Sequence, residues 1–144
     1  MDVTTKLWEW FCTDELPSIR AYFFLCDALE ELASSAEAQS TTLPDCPHCE
    51  ISSTFTGNYQ DFYKYCAELL DQNIEECLGE IDDGLTNLPA DAASCFDHSI
   101  FKHAAWQGIR EQAKAALIAL HAEALYPFRA QLEQADSDTA TKLI

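Results

Sequence analysis

Residues 46–49 read Cys-Pro-His-Cys, and this tetrapeptide is the part of the chain whose residue types and spacing point most directly to chemistry. Two thiols separated by two residues can form a redox-active disulfide, or they can supply half of the ligands of a tetrahedral zinc ion. They can also be two reduced cysteines in a turn. The segment before the first cysteine and the ligands available elsewhere in the chain distinguish these alternatives.

The tetrapeptide resembles the active site of strongly oxidising thioredoxin-fold enzymes, and the resemblance covers these four residues only. It implies a thiolate at a helix N-terminus, directly after a buried β-strand. Residues 40–45 read Ser-Thr-Thr-Leu-Pro-Asp and form no hydrophobic strand. A thiol oxidoreductase or a zinc enzyme at this site is therefore kept as an alternative function.

A second pair of metal-ligating residues follows later, in the stretch Cys95-Phe96-Asp97-His98. A structural zinc ion takes four ligands, commonly cysteine thiolates and histidine nitrogens. Cys46, Cys49, Cys95 and His98 would complete a Cys₃His site, with His103 as a substitute ligand. The sequence thus leaves two alternatives open, a structural zinc site and reduced cysteines without metal.

The remaining cysteines lie inside segments with apolar periodicity, where a free cysteine behaves as a small buried hydrophobic residue. The N-terminal residues carry one lysine and several acids and do not resemble a secretory signal, and no apolar run reaches the roughly 18 residues of a membrane span. We therefore expect a cytoplasmic protein with reduced thiols. These four cysteines are Cys12, Cys26, Cys66 and Cys77.

Apolar residues recur at helical spacing along most of the chain, and strand signals are nearly absent. The sequence predicts an all-α bundle of four to six helices, with a single domain over residues 1–136 and a loose tail over 137–144. Residues 39–57 lack periodicity and are predicted to form a long loop between the second and third helices, held by a ligand or a function. The predicted helices run from Thr4 to Phe11, from Thr13 or Asp14 to about Ala38, over 59–82 after a cap at Asn58, and from Asp97 or Ser99 to Leu125, with a break near Pro127.

Acidic residues are concentrated in the middle of the chain, which has a net charge of −17 from 25 acidic and 8 basic residues. There is no basic residue between Arg20 and Lys64, and none between Lys64 and Lys102. Like charges three or four residues apart destabilise a helix by a few tenths of a kcal/mol per pair. An acidic edge without basic neighbours therefore indicates a partner with a basic surface, and the predicted edge consists of Glu68, Asp71, Glu75, Glu76, Glu80, Asp82 and Asp83.

Carboxylates one helical turn apart imitate the spacing of phosphates along a nucleic-acid strand. In composition the chain resembles small acidic inhibitors that occupy nucleic-acid channels, including phage anti-restriction and anti-CRISPR proteins. We therefore expect a non-enzymatic interaction protein that binds neither nucleic acid nor membrane directly.

An alternative is an inhibitor or chaperone that binds through an aromatic patch around Trp8 and Trp10, in which case the acidic residues serve only to keep the protein soluble. Phosphate-binding loops and nucleophile elbows are absent from the sequence.

Overall fold

The computed structural model describes residues 2–43 and 45–134, and these residues form helices and no strand. The predicted all-α fold is confirmed. Short 3₁₀ turns, at Ala67–Leu69, Ala90–Ala92, His98–Lys102 and Tyr126–Phe128, connect several of the helices. The α-helices are α1 (Val3–Cys12), α2 (Leu16–Ala33), α3 (Ala36–Thr42), α4 (Pro47–Tyr65), α5 (Gln72–Thr86), α6 (Ala104–Ala119), α7 (Ala122–Leu125) and α8 (Arg129–Leu132).

Helix α2 lies at the centre of the bundle and packs against both α4 and α6, and α5 packs against α6. Most of the circumference of α2 is buried, with Tyr22, Leu25 and Leu29 completely buried, and Arg20, Phe24 and Asp27 form an exposed stripe. Such a wide buried face is expected of a helix that contacts several neighbours. None of the helices within residues 2–43 and 45–134 is both long enough and apolar enough to cross a bilayer.

The predicted loop over residues 39–57 is wrong, because α3 and α4 together contain most of it. The hydroxyl groups that suggest a loop in the sequence bond to helix backbone instead. Ser40 Oγ donates to the carbonyl of Ala36 at 2.7 Å, and Thr42 Oγ1 donates to the carbonyl of Ala38 at 2.7 Å. Side chains bonded to the preceding turn in this way are compatible with a helix. The predicted second helix also ends early, since Ser34 is extended after Ala33.

The predicted third helix over 59–82 is interrupted between Cys66 and Asp71, where α4 ends and α5 begins. The end of α4 bonds to the start of α2: Ser18 Oγ donates to the carbonyl of Tyr65 at 2.7 Å, and Cys66 Sγ donates to the carbonyl of Ser18 at 3.2 Å. Asn58, predicted as an N-cap, lies inside α4. The residue that caps α5 is Asp71, whose carboxylate accepts from the backbone N–H of Ile74 at 2.8 Å.

The predicted last long helix is also divided. Residues 98–102 form a 3₁₀ turn, and α6 ends at Ala119, before the left-handed residue His121. At this end of α6, the hydroxyl of Tyr22 donates to the carbonyl of the C-cap residue Leu120 at 2.6 Å. The predicted break near Pro127 is present, as a 3₁₀ turn. The predicted tail over 137–144 and the domain boundary at 136 lie outside the described residues.

Candidate metal centre

Three of the four predicted metal ligands lie together on one side of the bundle. Potential ligand atoms of Cys46, Cys49 and Cys95 all lie within 4.8 Å of one another, and the sulfurs of Cys46 and Cys49 are 2.9 Å apart. Zinc–sulfur bonds of about 2.3 Å in a tetrahedral site place two sulfurs about 3.8 Å apart. The cluster is therefore close enough to hold a metal ion, and it is compatible with zinc. We call these residues the cysteine cluster.

The start of α4 positions two of the three thiols. Cys46 is the N-cap residue of α4, and Pro47 occupies the first turn, where its missing N–H is tolerated. Cys49 follows three residues later and so lies on the same face of the helix. Cys95 comes from the irregular segment between the turns at 90–92 and 98–102. Cys46 is buried, with 7% of its surface exposed, whereas Cys49 and Cys95 are exposed.

Hydrogen bonds to Cys46 favour its thiolate form. The thiol of Cys49 lies at 2.9 Å, and the backbone N–H of Phe96 donates to Cys46 Sγ at 3.4 Å. The Cys49 hydrogen bond first and the Phe96 N–H second lower the pKa of Cys46 to about 7. The same contact with Cys46 raises the pKa of Cys49 to about 11. One thiolate is thus available near neutral pH, which is the form that binds metal.

Two unusual backbone conformations adjoin the cluster. Asp45, directly before Cys46, has φ 48°, and Phe96, directly after Cys95, has φ 62°. Left-handed conformations are uncommon for residues other than glycine, and cost most for bulky side chains. The Phe96 ring is 72% exposed, so packing of the ring does not explain its conformation. The conformation of Phe96 accompanies the hydrogen bond from its N–H to Cys46.

The predicted fourth ligand, His98, does not belong to the cluster. Its Nδ1 lies 3.2 Å from the carbonyl oxygen of Ser40 in α3. His103, the substitute ligand, is not part of the cluster either. Its Nδ1 accepts from the N–H of Ala105 at 3.0 Å, and its Nε2 lies 3.3 Å from Asp91. Among residues 2–43 and 45–134 the structure therefore brings together three ligands of a tetrahedral site.

The predicted loop position of Cys46 is wrong, because Cys46 lies at the start of α4. The signal was present: a proline at the first helical position, followed by the acidic Glu50 in the first turn. The other cysteine predictions have mixed outcomes. Cys26 and Cys66 are buried as expected, whereas Cys77 is half-buried and Cys12 is exposed at the end of α1.

The predicted acidic edge divides into two parts. Glu68 lies in the 3₁₀ turn before α5 and forms an ion pair with the buried Lys6 of α1. The other acids belong to α5 or cap it, and their side chains are exposed, apart from the half-buried Asp82. None of these six carboxylates is ion-paired with a basic side chain of the described chain. We call this group the α5 acidic face: Asp71, Glu75, Glu76, Glu80, Asp82 and Asp83.

The helix itself does not compensate this charge. Buried Ile74, Leu78, Ile81 and Leu85 define the inner side of α5. At about 100° per residue, Glu76, Glu80 and Asp83 project opposite that side, and the other three acids border it. The last turn of α5 contains no basic residue. Asp82 and Asp83 therefore lie near the negative end of the helix dipole, where acidic groups are unfavourable.

The aromatic residues of α1 offer little exposed surface. Trp10 is buried, with 4% of its surface exposed. Trp8 is half-buried, and its ring packs edge-on against Phe11 and Phe128, each at 5.6 Å between centroids. Because Trp10 is buried, only Trp8 of this pair contributes to the alternative aromatic surface.

No family model, curated protein or solved structure matches this chain. The cysteine cluster and the α5 acidic face are therefore the features of this chain that indicate a function.

Proposed function

We propose that this protein is a non-enzymatic interaction protein that binds a basic protein surface through the α5 acidic face. The observation that supports it is the lack of a basic partner for all six carboxylates within the described chain. Some acids elsewhere in the protein do have basic partners: Arg129 binds Asp27 at 2.6 Å, and Lys6 binds Glu68. The α5 acidic face thus gathers six acids without a basic partner on, or directly before, a single helix.

Stability of the fold does not account for this arrangement. Asp71 and Glu75 are exceptions, because the carboxylate of Asp71 caps α5, and Glu75 lies in its first turn and accepts from the Tyr63 hydroxyl at 3.2 Å. A cation near a helix C-terminus typically stabilises it by about 0.3–1 kcal/mol, and an anion has the opposite effect. Asp82 and Asp83 oppose the dipole, and like charges one turn apart add to the repulsion. A basic surface on a partner would relieve both effects and would accelerate association by steering.

The class of partner follows from the spacing of the carboxylates. Acids recurring every three or four residues along α5 lie roughly 5–6 Å apart, similar to phosphates along a strand. A protein surface that binds nucleic acid is therefore the best match. We propose that this chain acts as an inhibitor that competes with nucleic acid for such a surface, as expected of an anti-CRISPR or anti-restriction type of protein.

Displacement of DNA tests this function. A panel of basic DNA-binding proteins is loaded with a fluorescent duplex, and this protein is titrated in at about 50 and 200 mM salt while anisotropy is recorded. One variant carries E75Q, E76Q, E80Q and D83N. A control with the same net charge carries E15Q, E37Q, E111Q and E123Q, at exposed positions away from the α5 acidic face.

We expect wild type and the control to displace DNA with equal potency, and the α5 variant to be weaker by tenfold or more. The potency of wild type should fall at the higher salt concentration, because surface charge is screened. An equal loss of potency in both variants would show that displacement of DNA depends only on the net charge of the protein. A complete lack of displacement across the panel would contradict the nucleic-acid-mimic function.

We also propose that the cysteine cluster binds one structural zinc ion. The ion would connect the start of α4 to the segment around Cys95, as the hydrogen bond from Phe96 N–H to Cys46 Sγ already does in part. The fourth ligand would be His98, three residues after Cys95, after its side chain rotates away from the carbonyl of Ser40. This role is structural, because it stabilises two segments far apart in the sequence.

Native mass spectrometry with and without a chelator tests the zinc site. Wild-type protein should carry one zinc equivalent, and its removal should lower the melting temperature. The C95S variant should lose the zinc, whereas C12S, at an exposed cysteine of α1, should keep it. H98A should bind zinc more weakly than wild type. A zinc-free protein whose melting temperature is unaffected by added zinc would refute the site.

A further inference from the structure

The geometry of Cys46 and Cys49 suits a covalent bond as well as a metal ion. Their sulfurs are 2.9 Å apart, and a disulfide requires about 2.0 Å. Residues three apart at the start of a helix fall in the range of backbone separations that disulfides accept. Rotation of two side chains would therefore suffice, with no rearrangement of the helix.

The pair is also accessible from solvent. Cys49 is exposed, so a small reagent can reach its sulfur directly. Cys46 is mostly buried, and its sulfur lies 2.9 Å from that of Cys49. Cys95 is exposed at the same cluster but comes from a different segment, and the N–H of its neighbour Phe96 already contacts Cys46 Sγ.

We propose that Cys46 and Cys49 form a reversible disulfide by exchange with a small-molecule disulfide, and that this bond and the metal ion exclude one another. The disulfide itself follows from the geometry of the two thiols. The exclusion rests on the zinc site proposed above, because the bond would consume two of its three cysteine ligands.

The exchange proceeds in two displacement steps. The two sulfurs, 2.9 Å apart, share one proton, and when this proton lies on Cys46 the exposed Cys49 attacks as the thiolate one sulfur of the small disulfide, whose S–S bond breaks and releases one thiolate. Cys46 then attacks the Cys49 sulfur in the mixed disulfide, forming the Cys46–Cys49 bond and releasing the second thiolate. The one proton that the pair holds passes to a released thiolate, and the other released thiolate takes its proton from water. The protein loses two electrons, and the small disulfide gains them.

Oxidation would also change the segment around Cys95. Cys46 Sγ accepts the N–H of Phe96, and a sulfur bonded to Cys49 moves away from that donor. The neighbouring turn contacts α3 through His98 and Ser40. The disulfide therefore alters the connection between the start of α4 and the segment before α6.

Thiol trapping in glutathione buffers tests the disulfide. Reduced, metal-free protein is equilibrated with glutathione and glutathione disulfide at several ratios, labelled with a maleimide, and analysed by peptide mass mapping. Wild type and C95S should both form one bond, between Cys46 and Cys49, and lose two labels. C49S, changed at an exposed position, should form none, and C12S should behave as wild type. A bond that involves Cys95, or full labelling of Cys46 and Cys49 at all ratios, would overturn the proposal.

A second measurement separates this inference from the zinc proposal. Zinc is titrated into the reduced and the oxidised protein, with a chromophoric chelator as competitor. Reduced protein should bind one equivalent, and oxidised protein should lose that binding. Zinc retained by the oxidised protein would overturn the exclusion. If the reduced protein binds no zinc, the proposed zinc site and the mutual exclusion of zinc and disulfide are both refuted. The proposed disulfide is decided by the thiol-trapping experiment alone.

Discussion

Arg110 donates from Nε to the side-chain oxygen of Gln39 at 3.1 Å, and the two residues are 71 positions apart. Gln39 in turn donates from Nε2 to the carbonyls of Glu31 and Leu32, both at 3.0 Å. The amide of Gln39 thereby connects the end of α2, α3 and α6. Gln39 is 1% exposed and Arg110 is 6% exposed. This buried polar contact explains why a segment that reads as a loop forms an ordered helix.

Replacing Arg110 should destabilise the protein substantially. Its guanidinium also donates to the carbonyl of Phe101 and, at 3.2 Å, to the side chain of Gln107. In R110M the buried acceptors on Gln39 and Phe101 lose their donor, and we expect a loss of about 2–4 kcal/mol in the free energy of unfolding, measured with urea. Combining R110M with Q39L should show a coupling of about 0.5–3 kcal/mol. Additive effects would mean that the contact is not formed in solution.

Glu31 should make stability depend on pH in a specific direction. Partial burial first, and the nearby Glu50 second, raise the pKa of Glu31 above its usual value, and its Oε1 is buried without a hydrogen-bond partner among the described residues. The folded protein therefore binds more protons at this site, so stability falls as the pH rises from the unfolded pKa through the folded pKa. E31Q should raise the melting temperature at pH 7 and raise it less near pH 4. The exposed E37Q variant is the control, and a pH-independent effect of E31Q would contradict the assignment.

Neutralising the C-terminal end of the α5 acidic face should stabilise the fold. The D82N/D83N variant removes two acids from the negative end of the helix dipole, and each change should contribute about 0.3–1 kcal/mol at low salt. The gain should shrink as salt is added, because exposed charges are screened. The D71A variant is a control with the opposite expected effect. It removes the N-cap hydrogen bond to the backbone of Ile74 and should lower the free energy of unfolding by about 1 kcal/mol. Thermal unfolding at low and high salt measures all three proteins.

Trp106 should stabilise the segment that leads to Cys95. Its ring is completely buried, and its Nε1 donates to the carbonyl of Ala92 at 2.8 Å. W106F leaves that carbonyl without its donor and shrinks the core contact, so we expect a loss of about 1–3 kcal/mol in chemical denaturation. W8F, at a half-buried position, should have a smaller effect. Equal effects of the two substitutions would argue against the hydrogen bond as the cause.

Local patterns in the sequence determined much of this protein. Apolar residues at three- and four-residue spacing define α1 and the buried side of α5, because helical periodicity is a local property. The same pattern left the acids of α5 on its outer side. The residue types of Cys46, Cys49 and Cys95 were sufficient to nominate them as ligands, since few side chains bind zinc.

Contacts between distant residues decided the rest. The break after α4 depends on hydrogen bonds from Ser18 to Tyr65 and from Cys66 back to Ser18, and the end of α6 accompanies the bond from Tyr22 to Leu120. The ring of His98 lies against α3 instead of joining the cysteines. Each of these contacts spans 47 to 98 positions, and no window of neighbouring residues contains both partners. Hydrophobic periodicity is readable along the chain, whereas the polar bonds that end helices and orient ligands exist only once the helices have packed.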